Sequence, residues 1–341
     1  MTSASPSDVV GVRAPNAADL LEIRELTVGF PSRHGVVLAA NHVNVSLSES
    51  RTLGLVGESG CGKSVTLRSI IGMVPKPGEV LDGEVLWHGK NLVGGKSREI
   101  RNVRGRQITM IFQDPGASLN PVYSVGDQIS EVFRIKLGLN KKESAERTVE
   151  LLRSVGIPSP DKRAGDYPHQ LSGGMRQRVM IAMAVAPGPQ LLLADEPTTA
   201  VDVTVQEQIL SLLVELQQSS GMAVILVSHD LAVIGQTCDE IVVMYAGYVV
   251  EHGSRDEVIN SPRHPYTQAL LSAELVFEPG QRRGRLDTIA GQPPDLGNLP
   301  AGCPFQPRCR YARPECEGVS MVIDLPQPAH GSACPFVEPP A

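Results

Sequence analysis

Aromatic residues are scarce: they make up 4% of the 341 residues, with one tryptophan. A protein that stacks single-stranded bases on aromatic platforms is therefore not expected. Positive charge is not in excess either, since 31 Lys and Arg stand against 37 Asp and Glu for a net charge of -6. That balance argues against a chain that grips nucleic acid along a basic stripe, while leaving room for a local patch. Long apolar runs are missing. The longest, Ile241 to Val250, has ten residues, where a membrane-spanning helix needs about 18 or more. Met1 to Ala18 lacks the basic start and apolar stretch of a secretion signal, so the expected compartment is the cytosol. No internal repeat or heptad array recurs, which removes solenoids and long coiled coils.

What is present is a chain long enough for one large domain with an appendage, at ordinary globular composition, 41% hydrophobic and 20% charged. Residues 1–20 read as a disordered lead-in, and Leu21 to Phe30 is the first strand-like stretch. Thr52 to Val56 is a short apolar strand that runs into glycines, and Lys63 to Met73 follows with helical spacing. Leu191 to Ala194 and Ala223 to Val227 read as buried strands, with Val205, Ile209, Leu212, Leu213 and Leu216 between them as a crossover helix. An α/β core with parallel strands follows. Residues from about 120 to 186 show helices, Lys142 to Val155 and Gly174 to Val185 among them, and no clear strand, so they read as a helical subdomain. The core is expected over 21–262 and a small C-terminal domain over 263–341.

The chemistry concentrates at strand ends. Gly57-Glu58-Ser59-Gly60-Cys61-Gly62-Lys63-Ser64 fits the phosphate-loop pattern between a strand and a helix, with Val65 next on that helix. The glycines let backbone N–H groups wrap a polyphosphate, Lys63 reaches the β- and γ-phosphates, and Ser64 offers its hydroxyl to Mg²⁺. Asp195 ends a buried strand and is placed to join the Mg²⁺ shell; Glu196 beside it can polarise an attacking water, and His229 at the next strand end can meet the γ-phosphate.

Leu171-Ser172-Gly173-Gly174-Met175-Arg176-Gln177 resembles the signature motif of ATP-binding cassette (ABC) ATPases. The resemblance implies a P-loop ATPase fold whose signature nest serves the nucleotide of an opposing subunit. It also implies that Gln113 is the Q-loop glutamine, a ligand to Mg²⁺, that Ala200-Val201-Asp202 is the D-loop, and that Phe30 stacks on adenine. Four segments narrow the resemblance to the ATPase subunits of oligopeptide/dipeptide importers, a group that includes nickel importers: Gln113 to Pro121, Val243 to Gly247, Ser261 to Thr267 and Gly302 to Cys309. The partners implied are a second ATPase subunit, two membrane-spanning subunits and an extracytoplasmic binding protein, with the chain peripheral on the cytoplasmic face. Nickel or another solute is the alternative cargo. A soluble nucleic-acid-associated ABC ATPase is the alternative of another class.

Of the six cysteines, Cys303, Cys309, Cys316 and Cys334 cluster near the C-terminus with the spacing C-x5-C-x6-C-x17-C. A cytosolic chain rarely keeps disulfides, and this spacing matches neither zinc ribbons nor the tight ferredoxin run. The resemblance implies a [4Fe-4S] cluster on the four thiols, with zinc as the alternative. Nothing in the pattern places them near the phosphate loop, so the tail reads as a structural appendage.

Overall fold

The computed structural model describes residues 19–33, 35–94, 97–199, 201–273, 289–323 and 330–336. The lead-in read over residues 1–20 lies outside the described residues as far as 18, and its last two residues belong to the first strand. β1 (Asp19–Ser32) and β2 (Gly35–Ser48) form a long antiparallel pair that continues the apolar alternation of Leu21, Ile23, Leu26 and Val28. After β3 (Thr52–Val56), β4 (Glu79–Trp87) and the two-residue β5 (Lys90–Asn91) complete a four-stranded antiparallel sheet in the order β2-β1-β4-β5.

The second sheet holds the core. It adds β6 (Ile108–Ile111), β7 (Leu191–Asp195), β8 (Ala223–Ser228), β9 (Glu240–Tyr245), β10 (Tyr248–Ser254) and β11 (Gly331–Ser332), in the order β11-β10-β9-β3-β8-β7-β6. β9, β3, β8, β7 and β6 run parallel. Every residue of β3, β7 and β8 is buried, which is why these segments read as continuous apolar runs without alternation. The ten-residue apolar run splits into β9 and β10 around Ala246 (φ 51°) and Gly247 (φ 87°), a pair of left-handed residues that turns a two-residue hairpin.

Helix α1 (Lys63–Ile70) follows β3 and stops three residues short of the expected Met73, because Gly72 at φ 62° lets the Gly72 and Met73 N–H groups close back on Ser69 and Arg68. α2 (Ser97–Val103) precedes β6. Between β6 and β7 the described elements are helical: α3 (Pro115–Ser118), α4 (Val125–Leu137), α5 (Lys141–Ser154), α6 (Pro160–Arg163) and α7 (Gly173–Val185). Their starts are written in side chains, with Ser124 capping α4 and the Asn140–Glu143 capping box opening α5. α8 (Val203–Ser220) is the crossover from β7 to β8, and α9 (Leu231–Thr237) leads to β9.

α10 (Arg255–Asn260) falls at the end of the expected core, and α11 (Pro265–Ala273) begins the segment expected to form a small C-terminal domain. That segment is sewn to the core at several points. β11 pairs antiparallel with β10, and the fully buried Glu251 of β10 gathers the tail: its carboxylate accepts the backbone N–H of Arg263 (2.7 Å) and of His264 (2.8 Å) and pairs with the His330 ring. Arg263 also donates to the His330 carbonyl at 2.6 Å. His264 is buried and pushed down to about 4, so its neutral ring accepts the Tyr266 N–H (3.1 Å) at the start of α11. Glu251→Ala would strand these buried donors and is expected to cost about 3 kcal/mol. Urea unfolding of the full chain checks this, and an unchanged midpoint would remove Glu251 from that role.

Candidate active site

Because β3, β8 and β7 are parallel neighbours, the loops leaving their carboxyl ends lie side by side. The loop after β3 bends through left-handed Gly57 (φ 155°), Gly60 (81°) and Gly62 (108°). A Cβ on Gly57 would stand 2.2 Å from the Met244 carbonyl oxygen and one on Gly62 2.2 Å from that of Ala39, so side chains at these places are excluded. Lys63 is buried, and its ammonium donates to the carbonyls of Gly57 (2.6 Å) and Glu58 (2.9 Å). Cys61 is buried too, and burial pushes its thiol pKa up against the partial opposition of Lys63, so it packs as a small protonated side chain.

Asp195 closes β7 with no exposed surface. Its Oδ1 accepts the Ser64 hydroxyl at 2.7 Å, while Oδ2 is buried without a hydrogen bond, 3.9 Å from Nη2 of Arg68. Burial pushes this carboxyl up; the Ser64 hydrogen bond and Arg68 pull the other way. A buried carboxylate oxygen without a hydrogen bond, beside a serine hydroxyl and the phosphate-loop lysine, fits a divalent cation.

Glu196 stands at φ 46°, a left-handed conformation uncommon for a side-chain-bearing residue, held by its N–H on the Val227 carbonyl (3.2 Å) of the neighbouring strand. Its Oε2 accepts the Gln113 amide and the Thr199 hydroxyl, each at 2.9 Å. Nδ1 of His229 lies 3.9 Å from the same oxygen, too far for a hydrogen bond, on a side chain 67% exposed. Gln113, Glu196 and His229 thus converge, and Thr199 and Arg68, unremarked in the sequence, belong to the same cluster. Beyond Gln113 an apolar cleft of about 730 Å³ opens, lined in part by Phe112, Val132, Met180 and Met183.

Other sequence-marked residues are dispersed. Ser172 caps α7 by accepting the Met175 N–H (3.3 Å), and Ser172 and Gly173 face solvent. Gly174 packs on Val205, Arg176 donates to the Pro168 carbonyl (2.7 Å), and Leu171 and Gln177 are buried. Asp202 caps α8 through the Val205 N–H (3.0 Å), with Val203 beside it 73% exposed; Ala200 of that motif lies outside the described residues. Phe30 is half-buried in β1 with its ring over Gly78. Val65 is partly buried on α1.

The four clustered cysteines line one small apolar cavity with Phe305 and Phe336. Burial pushes the Cys303 thiol up to about 11, the other three adding to the effect. Among the described residues no three His, Cys, Asp or Glu are gathered as a single metal ion requires. The tail nonetheless reaches the phosphate loop, through residues other than the thiols. Arg308, between Cys303 and Cys309, forms a two-point ion pair with Glu58 of that loop, at 2.6 and 2.9 Å. The Tyr266 hydroxyl accepts the Glu58 N–H at 2.8 Å. No local pattern could have announced a pair 250 positions apart.

Two family descriptions match: ABC transporter over residues 40–199, and oligopeptide/dipeptide transporter, C-terminal region, over residues 250–316. A probable peptide ABC transporter ATP-binding protein of Sinorhizobium fredii is 46% identical across 94% of this chain and 96% of its own. A dipeptide transport ATP-binding protein of Escherichia coli is 44% identical across 93% and 96%. Among solved structures, the dimeric form of a bacterial ABC transporter cassette matches with a TM-score of 0.61 at 28% identity, covering 69% of this chain and 98% of that one. A post-hydrolysis state bound to ADP and Pi matches at 0.62 and 28%, with the same coverage. Among the described residues no helix is long and apolar enough to cross a membrane. With the phosphate loop, the buried Asp195 and the strained Glu196 on one sheet edge, the chain belongs to the ATP-binding, ATP-hydrolysing subunits of oligopeptide/dipeptide ABC importers.

Proposed function

We propose that this chain powers uptake of di- or oligopeptides from the cytoplasmic face of a membrane, bound peripherally to two membrane-spanning subunits. A second ATPase subunit would oppose it and an extracytoplasmic binding protein would deliver the cargo. The names of the relatives, peptide and dipeptide transport ATP-binding proteins, favour peptides over nickel. The apolar cleft beyond Gln113, with exposed Val122 and Tyr123 further along the chain, suits a segment of the membrane subunits.

The observation that carries the catalytic reading is the convergence of Gln113, Thr199 and His229 on Glu196, next to the Ser64–Asp195 pair. Lys63 and the loop N–H groups hold the β- and γ-phosphates of ATP. Ser64, Asp195 and Gln113 would hold Mg²⁺, which when bound neutralises charge on the phosphates. Glu196 orients a water for in-line attack on the γ-phosphate, and exposed His229, near the same carboxylate oxygen, is placed to meet that phosphate. The solvent-facing Ser172 and Gly173, with Gly174 behind them, are presented to nucleotide on the opposing subunit, and Asp202 with exposed Val203 faces the same interface. Phe30 would stack on the adenine.

Glu196→Gln keeps the shape and loses the carboxylate, so it is expected to retain ATP while turnover falls about 100-fold or more. Lys63→Ala should lose ATP affinity itself. Assays of both variants in the assembled transporter check the reading; near-normal hydrolysis by Glu196→Gln, or unchanged ATP affinity in Lys63→Ala, would overturn the assigned role.

For Cys303, Cys309, Cys316 and Cys334 the reading is a [4Fe-4S] cluster. What supports a single shared group is that the four thiols line one apolar cavity, with zinc as the alternative occupant. When bound it would staple the proline-rich tail. Anaerobic purification should yield about four irons per chain; about one zinc replaces the assignment, and neither metal refutes the shared site.

A further inference from the structure

Glu58 is gripped from three directions. Its carbonyl accepts Lys63, its N–H donates to the Tyr266 hydroxyl, and its carboxylate meets Arg308 in a fork-to-fork pair. Two of these three grips come from the C-terminal segment. Arg308 is itself fixed: its side chain is 6% exposed, Nε donates to the Ala290 carbonyl (2.8 Å), and Nη1 also reaches the Tyr245 hydroxyl (3.2 Å). The turn that carries it is closed on both sides by cysteines, Gln306 N–H on the Cys303 carbonyl and Cys309 N–H on that of Gln306. Phe305 of the same turn packs edge-on against Tyr245 (5.2 Å) and Tyr266 (5.4 Å), welding it to the sheet beside the loop.

We propose that Arg308 is a positioning residue for ATP binding, holding Glu58 so that the phosphate loop stays shaped for its ligand. The proposal rests on the phosphate-loop reading above. Two consequences make the pair useful there. Lys63 now spends its ammonium on the Gly57 and Glu58 carbonyls, and when it turns to the phosphates, Arg308 and Tyr266 still hold Glu58 in place. The guanidinium also cancels the charge of a carboxylate that stands in the loop receiving the polyanion, where an unpaired anion would repel it. The cysteine-bounded turn thereby conditions nucleotide affinity without a side chain of its own at the phosphates.

The test is ATP affinity of the full anaerobically purified chain, by competition with a fluorescent ATP analogue, and KM and kcat in the assembled transporter. Arg308→Gln is expected to weaken ATP binding about tenfold, with the loss falling on KM more than on kcat. Glu58→Ala should weaken it in the same direction, and the double variant should be no worse than Arg308→Gln alone. A folded Arg308→Gln within twofold of the parent, or losses that add in the double variant, overturns the proposal. If Arg308→Gln does not fold, Glu58→Ala decides, and unchanged affinity there overturns it. Lys63→Ala is the control: if it binds ATP like the parent, the phosphate-loop reading fails, whereas loss there with unaffected Arg308→Gln and Glu58→Ala sinks only this proposal.

Discussion

Parallel pairing among three wholly buried strands is the constraint on which everything else depends. β3, β8 and β7 lie in register, so Val56, Ser228 and Asp195 end on one edge, and the residues that follow them meet there. A slip in that register would carry Asp195 along its strand and away from Ser64. The strained backbone of Glu196 is tolerated because its N–H is bonded across to β8. Local strain is thus held by sheet pairing.

Much of this was legible in the amino-acid order. A phosphate loop announces itself because its glycines are dictated by backbone geometry over eight successive residues, and continuous apolar runs announced β3, β7 and β8. The capping of α7 by Ser172 and of α8 by Asp202 was hidden inside motifs that read as functional, since a serine or aspartate that starts a helix has no pattern of its own there. β6 went unread because four residues, one of them threonine, carry no periodicity of their own. Its place at the sheet edge is decided by β7.

The tail was the least legible part, for a physical reason. Glu251 and Arg308 are charged residues whose meaning lies wholly in partners far along the chain, and sequence periodicity reports local geometry only. A short segment with few apolar residues cannot bury enough surface to stand alone. It borrows the core through one buried carboxylate, a two-residue strand and an aromatic triangle of Tyr245, Tyr266 and Phe305.

The hairpin turn at Ala246–Gly247 has a kinetic meaning. Gly247 donates to the Cys61 carbonyl (3.0 Å) and accepts the Asn41 N–H (2.8 Å), so the phosphate loop, β2 and the turn are stapled at one point by backbone bonds alone. A loop shaped in advance gives up little freedom when it is occupied. Nucleotide would then enter at a rate set by encounter, with no slow folding of the loop around it, and differences in how tightly it is held would be expressed in how slowly it leaves.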